Sequence, residues 1–476
     1  MIKKSYIAIL FLFALPYFAF DAKAQEEKVW TLKQCVDHAL ANNIQIKQGK
    51  LGVNVAEYNL KQSKAALLPN VNAHASHSYN FGRTVDPFTN DFVSDRVLSN
   101  SFSVSGNVTL FSGMRNYYTI KKNEQDLLVS QYNSDISAND ISLAIAGNYL
   151  QVLFNMELED ITMRQVEITK GQVERTQKLV KAGSLPKGDL LEIEAQYSLD
   201  ELQHLESRNN LKLSLLTLQQ LLDLEPSSQF DIAIPEIEIS QNSKVLSTSG
   251  QVYDAALAVL PQIKAANHQL ISKEKGLAVA KGWMFPTLTF GGSYGTGYSD
   301  ARSRIIDQTT TYVPLGYTST GDDVLMPYTS YVSETTPFGD QISDNVNKNI
   351  GFNLSIPIFN RLQTKTGINQ AIISLKNAEY SLQLEKNKLK EDIQRAYMQA
   401  VAALDKYRAY IRTVAALEEA FKHVKQKFDV GMVTAIEFND SKNKLSKAES
   451  DALQAKYDYV YKTKILEFYQ GNSLAF

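Results

Sequence analysis

Two acidic pairs are the most suggestive chemistry in this 476-residue sequence. Glu437 and Asp440 stand three residues apart, as do Asp189 and Glu192, so on a helix each pair shares one face. Carboxylates are favourable near a helix N-terminus whatever else they do. The other reactive residue types do not assemble. His74 and His77 are metal-ligand types, yet a spacing of three on a strand sends them to opposite faces. His38, His204, His268 and His423 are scattered along helical stretches. Cys35 is the only cysteine, which excludes an intrachain disulfide; it reads as a small packing residue. Gly291-Gly292 and Gly295-x-Gly297 lack the helix and lysine that complete a phosphate loop. No serine, cysteine or carboxylate constellation suits catalysis, so neither a cofactor, nor a metal, nor an enzymatic activity is expected.

The elements that must carry these acids are very long helices. No proline occurs between Pro87 and Pro186, and none follows Pro357, so nothing there removes a backbone donor or clashes with the preceding turn. Ile141, Ile145, Tyr149, Val152 and Met156 recur at helical spacing. A helix over residues 114–182 would extend ~100 Å at 1.5 Å per residue, too long for one globular core and suited to side-by-side coiled-coil packing. Glycine-containing breaks follow, Gly183-Ser184-Leu185 in one half and Gly431-Met432-Val433 in the other. Further helices over 188–222 and 435–469 complete two antiparallel hairpins. Shorter helices are expected over 31–66 and 251–282.

The chain also repeats. Ala39-Leu40-Ala41, Ile46-Lys47 and Pro69 recur as Ala256-Leu257-Ala258, Ile263-Lys264 and Pro286 at an offset of 217 residues. Leu110-Phe111 and Gly183 recur as Ile358-Phe359 and Gly431 at 248, which locates 31 extra residues between the two alternating segments of the second half. A duplication with one insertion accounts for both offsets. The expected division is 1–24, 25–250 and 251–476, with 225–250 linking the repeats.

Four segments alternate with period two. Phe102, Val104, Val108 and Leu110 fall on one face, opposite Ser101, Ser103, Ser105, Asn107 and Thr109; Ile350, Phe352, Leu354, Ile356 and Ile358 oppose Gly351, Asn353 and Ser355. Val71–Tyr79 and Thr287–Tyr294 follow the same pattern less cleanly. Strands of about 9–11 residues, apolar on one side and polar on the other, suit a transmembrane barrel. Four strands are too few to close one, the smallest common size being about eight, so several copies must share it. The loops over 81–100 and 299–348, rich in Thr, Asp, Ser and Tyr, are expected outside the cell.

The N-terminus supplies the compartment. Lys3 and Lys4 precede an uncharged run from Tyr6 to Phe20, then Asp21-Ala22-Lys23-Ala24-Gln25, the pattern of a secretory signal peptide over residues 1–24. The run is shorter than the ~17–25 residues of a spanning helix, and Gln25 is not the cysteine of a lipoprotein. No later apolar run reaches about 18 residues, so a mature chain that spans a membrane must use a closed barrel. A formal net charge of −2 gives no reason to expect nucleic acid as a partner.

The sequence resembles the TolC-like outer-membrane efflux proteins over essentially the whole mature chain. The resemblance rests on Trp30-Thr31-Leu32, Ala39-Leu40-Ala41-Asn42-Asn43, Leu68-Pro69, Phe285-Pro286, Leu354-Ser355-Ile356-Pro357-Ile358-Phe359-Asn360 and the two glycine tips, in duplicate order and spacing. It implies a mainly α protein with a small β part. Long antiparallel α-hairpins would form a helical barrel in the periplasm, and four strands per chain would build a trimeric 12-stranded β-barrel in outer-membrane lipid. It implies a homotrimer acting as a passive export conduit, with a periplasmic adaptor and an inner-membrane pump as partners.

The resemblance also assigns residues. Glu437 and Asp440 fall at the acidic constriction of the periplasmic tip, and the duplication sets Asp189 and Glu192 at the equivalent points of the other hairpin. Gly183, Ser184, Leu185, Gly431, Met432 and Val433 correspond to surfaces that meet the adaptor. Phe428 and Val433 stand where the family's closing latch uses a tyrosine and an arginine, so closure here must use other contacts, such as Lys187 or apolar packing. A secreted trimeric coiled-coil adhesin is the rival reading; it leaves the amphipathic strands at the helix junctions without a purpose.

Overall fold

The computed structural model describes residues 29–85, 90, 92–93, 96–225, 230–237, 239, 247–472 and 474. The expected signal peptide lies outside the described residues, as do parts of the 81–100 loop and of the linker. The first half runs β1 (Val29–Trp30), α1 (Leu32–Asn42), α2 (Ile44–Ala65), β2 (Asn70–Asn80), β3 (Thr84–Val85), β4 (Phe92–Val93), β5 (Val97–Phe111), α3 (Arg115–Lys181) and α4 (Lys187–Leu221). After β6 (Asp231–Ile232), the second half runs α5 (Ser249–Val259), α6 (Pro261–Gly282), β7 (Thr287–Ser299), β8 (Ser303–Tyr317) and β9 (Asp323–Thr335). It ends with α7 (Phe338–Asp344), β10 (Asn347–Ser355), α8 (Gln363–Asp429) and α9 (Ala435–Tyr469). Matching helices have equal lengths in the two halves: 11 residues for α1 and α5, 22 for α2 and α6, 67 for α3 and α8, 35 for α4 and α9.

Each short helix expected from spacing is in fact two. Asn43 breaks the first: its backbone turns extended (ψ 132°), and its side-chain oxygen accepts from the N–H of Gln45 at 2.9 Å and of Ile46 at 3.4 Å. That caps donors left open at the start of α2. Leu260 breaks the second by turning extended ahead of Pro261, the conformation proline imposes on its predecessor, and Pro261 opens α6 where its missing N–H costs nothing. Both halves start their first helix with a capping box, Thr31 with Gln34 and Thr248 with Gln251.

Contacts divide the chain into two compact units, each drawing on both sequence halves. One takes the described residues up to Lys47 with Ile136–Leu260 and Leu389–Phe476; the other takes Gln48–Asp135 and Pro261–Lys388. The second unit carries a four-stranded antiparallel sheet in the order β10-β7-β5-β2, with β10 and β2 as edges. Its register sorts the two faces. Phe352, Phe290 and Val108 share one row, and Tyr294, Val104 and Ala73 another on the same side. On the opposite side run Asn349, Ser293, Ser105 and Asn72, then Asn353, Thr289 and Thr109. Helix α7 covers one end of the apolar side, where Phe338 packs against Phe102 and Tyr298, but the rest is open among the described residues: Ile350, Phe352 and Leu354 are 79, 70 and 60% exposed. The strand expected to reach Ile358 stops at Ser355, ahead of Pro357, which has no N–H for a ladder.

The 299–348 segment, expected to be a loop, contains a ribbon. β8 pairs antiparallel with β9 and α7 follows. Thr309-Thr310-Thr311-Tyr312-Val313 is a β-branched and aromatic run that favours extension even without an apolar face. A turn closed by the Thr318 N–H donating to the Asp322 carbonyl at 2.8 Å joins the strands.

The first unit holds the apolar core, where Leu32, Cys35, Ile145, Tyr149, Leu153, Leu218 and Leu222 are buried together. The Tyr149 hydroxyl donates to the Ala233 carbonyl at 2.5 Å and lies 3.2 Å from that of Trp30, so the aromatic body is buried with its polar end satisfied. The short parallel pair β1–β6 is thereby anchored to α3. Among the described residues no helix is long and apolar enough to cross a membrane.

Candidate functional site at the helical tips

The tips are built by the same local rule in both hairpins. Helix α3 ends as the Gly183 N–H donates to Val180 and the Ser184 N–H to Leu179; α8 ends as Gly431 donates to Phe428 and Met432 to Lys427. Gly183 and Gly431 take φ of +74° and +79°, the left-handed turn that closes a helix and that side chains resist. Helix α9 then starts at Thr434, whose hydroxyl accepts from the Glu437 N–H at 3.3 Å, while Pro186 leads into α4 without a side-chain cap.

The expected site residues occupy the tips as follows. Gly183, Ser184, Gly431 and Met432 are exposed, Met432 at 74%, while Leu185 and Val433 are half-buried. Glu437 and Asp440 are both exposed on the first two turns of α9. Asp440 pairs with Lys444 one turn on, at 2.6 Å, which leaves Glu437 as the less compensated charge. On α4, Glu192 is exposed and Asp189 half-buried in the first turn. Lys187 is exposed at the first residue of that helix.

Around these acids lie contacts that spacing did not reveal. Phe428 stacks on the fully buried Phe438 at 4.8 Å between ring centroids, and Phe421 lies 5.4 Å from the same ring. The tip end of α8 is therefore sealed to α9 by aromatic packing. Arg175 of α3 donates to both the carboxylate and the backbone carbonyl of Asp429, the last residue of α8. Deeper in, Lys442 of α9 is ion-paired with Asp200 of α4 and donates to the Thr169 hydroxyl of α3 at 2.7 Å. Thr169 in turn donates to Asp200 at 2.5 Å, and the Gln196 amide donates to its other oxygen at 2.7 Å. The side chains of Lys442 and Asp200 are 2 and 3% exposed. Burial pushes the Lys442 ammonium below the ordinary lysine range, against the opposing pull of Asp200.

One signal for this network stood in the sequence. Thr162, Gln165, Thr169, Gln172 and Thr176 step along α3 by three and four and are all buried, so the seam of this coiled coil is polar where apolar residues are usual. The two histidines of β2 remain apart: His74 and His77 fall in rows on opposite faces, and His77 pairs with Asn100 at 2.6 Å.

The comparisons with known proteins agree with this geometry. The family described as "Outer membrane efflux protein" matches residues 35–223 and 252–472. The outer membrane efflux protein BepC of Brucella suis is 21% identical over 431 residues, covering 90% of this chain and 83% of its own. The alkaline protease secretion protein AprF of Pseudomonas aeruginosa is 22% identical over 419 residues, covering 86% and 77%. The crystal structure of the outer membrane protein VceC of Vibrio cholerae superimposes with a TM-score of 0.73 at 13% identity, covering 93% of this chain and 96% of that one. With matching pairs of 67- and 35-residue helices in the two halves, a largely exposed amphipathic sheet and both family segments matched, the chain belongs to the outer membrane efflux protein family, a family of outer-membrane channels.

Proposed function

We propose that this chain is one of three identical subunits of a passive export conduit, a twelve-stranded barrel in the outer membrane continued by a periplasmic tube of helices. The reading rests on one observation: a four-stranded sheet with two open edges and an apolar face that, among the described residues, is left largely exposed. Open edges cannot persist in lipid, which offers no hydrogen-bond partners. Joining β2 of one copy to β10 of the next removes every edge. The row of Phe352, Phe290 and Val108 then faces acyl chains, and the Asn, Ser and Thr rows face the lumen.

In this conduit Glu437 and Asp440 form the acidic constriction. Three copies bring six carboxylates around the axis, which favours cations and permits block by multivalent ones. Their exposure on the first turns of α9 supports this choice over Asp189, which is half-buried. The tips at Gly183–Leu185 and Gly431–Val433 receive a periplasmic adaptor, and an inner-membrane pump supplies the energy. The names of the relatives BepC and AprF span efflux and protease secretion, so the conduit serves either a tripartite efflux pump or a type I secretion system. The two sequence halves are repeats of one ancestral unit. The test is single-channel recording of the purified oligomer. Discrete conductance with cation preference is expected, reduced by Glu437→Gln with Asp440→Asn; unchanged selectivity and multivalent block in that variant would overturn the constriction.

A further inference from the structure

Helix α9 presents two unlike faces near its start. Ala435, Phe438, Asn439, Lys442 and Ser446 are buried, whereas Ile436, Glu437 and Asp440 are exposed. At 3.6 residues per turn, Glu437 lies about 140° from Lys442 in one direction and Asp440 about 160° in the other. The acidic pair is thus centred almost opposite the lysine. Whatever fixes the direction of Lys442 also fixes the direction of both acids.

Phe438, one turn earlier, packs α9 against Phe421 and Phe428 of α8, and Lys456 and Tyr457 reach Glu157 of α3 further along; around Lys442 itself the packing is polar. Thr162, Gln165, Thr169, Gln172 and Thr176 form a buried polar stripe on α3, and Asn439, Lys442 and Ser446 are buried on α9. Small and polar residues give weak knobs-into-holes preference, and polar seams are used to choose register at a cost in stability. Gln165 Nε2, Gln172 Oε1 and Asn439 Oδ1 have no hydrogen-bond partner among the described residues. The Lys442–Asp200–Thr169 cluster is different, because it joins three helices through an ion pair and mutual hydrogen bonds. A buried ion pair adds little net stability compared with a well-packed apolar substitute. Its geometric demand, however, is strict.

We propose that Lys442 and Asp200 are positioning residues for the acidic face of α9: their buried contact sets the rotation of that helix, so that Glu437 and Asp440 turn away from α3 and α4. The significance for conduction rests on the reading of Glu437 and Asp440 as the constriction; the rotation itself does not.

The test uses the full-length oligomer with a nitroxide attached at Asp440→Cys in a Cys35→Ser background. The intact pair is expected to give one spectral component. Replacing the pair by Asp200→Leu with Lys442→Met is expected to keep the melting temperature and split the spectrum into two components, with the 440 side chain losing part of its water accessibility. In bilayers the same pair replacement, made in the otherwise native chain, is expected to lose cation preference. An unsplit spectrum overturns the proposal, and so does a fall in melting temperature with the orientation kept, which would be a purely structural role. If the apolar pair fails to assemble, the charge-exchanged pair Asp200→Lys with Lys442→Asp must restore assembly and the single component; failure to do so also overturns it. The label reports rotation whether or not the acids line the pore, so a split spectrum with unchanged selectivity would reject the constriction and leave the positioning role intact.

Discussion

The Arg175 guanidinium of α3 grips both the carboxylate and the backbone carbonyl of Asp429, and so ties the last turn of α8 to the neighbouring hairpin at the tip. With Phe428 stacked on Phe438, the tip is held by one charged clasp and one aromatic seal.

Removing the clasp should loosen the tip without unfolding the helices. The pair is 36 and 42% exposed, so its worth is at most ~1 kcal/mol after solvent screening. Arg175→Ala is expected to shift melting by only a few degrees while raising open probability in bilayer recordings several-fold. Phe428→Tyr, which keeps the ring on Phe438, should leave both unchanged.

The buried lysine makes a pH prediction. Burial lowers the Lys442 pKa, and Asp200 opposes that shift through its hydrogen bond and charge. Asp200→Asn removes the opposing pull and leaves the lowering. Between the depressed folded value and the ordinary lysine value near 10.4, the unfolded chain then binds more protons than the folded one, so stability rises with pH. Denaturant titrations from pH 7 to 10 should show Asp200→Asn recovering stability relative to the wild type as pH rises, and a widening deficit would contradict the account.

The tip glycines separate turn geometry from docking. Gly431 sits at φ +79° with open space where a Cβ would be, so a substitution there suffers from conformation alone. Ala should cost ~1–2 kcal/mol, Val more, and Asn least because it tolerates this turn. If Gly431→Asn melts like the wild type yet loses export, the missing Cβ is needed by the adaptor; if melting and export fall together from Asn to Ala to Val, only the turn matters.

Much of this was legible in the sequence, for identifiable reasons. The 67-residue helices were readable because proline is absent across them, and the tips because glycine punctuates both halves. The two faces of the sheet followed from period-two alternation. The break at Pro261 carried its own signal, whereas Asn43 breaks its helix through a side-chain cap that many asparagines do not make. The β8–β9 ribbon lacks a core-facing side, so alternation could not announce it. Lys442 and Asp200 are 242 residues apart in sequence, and nothing local to either one distinguishes it from the many solvated charges nearby.

Cys35 offers an internal probe of folding. It is fully buried on the inner face of α1, and burial pushes its thiol up to about 12. At pH 8 the thiol of the native oligomer should resist alkylation for hours and react within minutes once denatured, since the thiolate is the nucleophile. Rapid labelling of native protein would show that the core around Tyr149 and Leu218 opens readily.

The central claim is that one chain cannot complete its own wall, so the direct measurement is the mass of the folded particle extracted from outer membranes in mild detergent. Native mass spectrometry should find three copies, falling to single chains on heating as the barrel opens. A folded, single-chain particle that stays soluble after detergent removal would contradict the account.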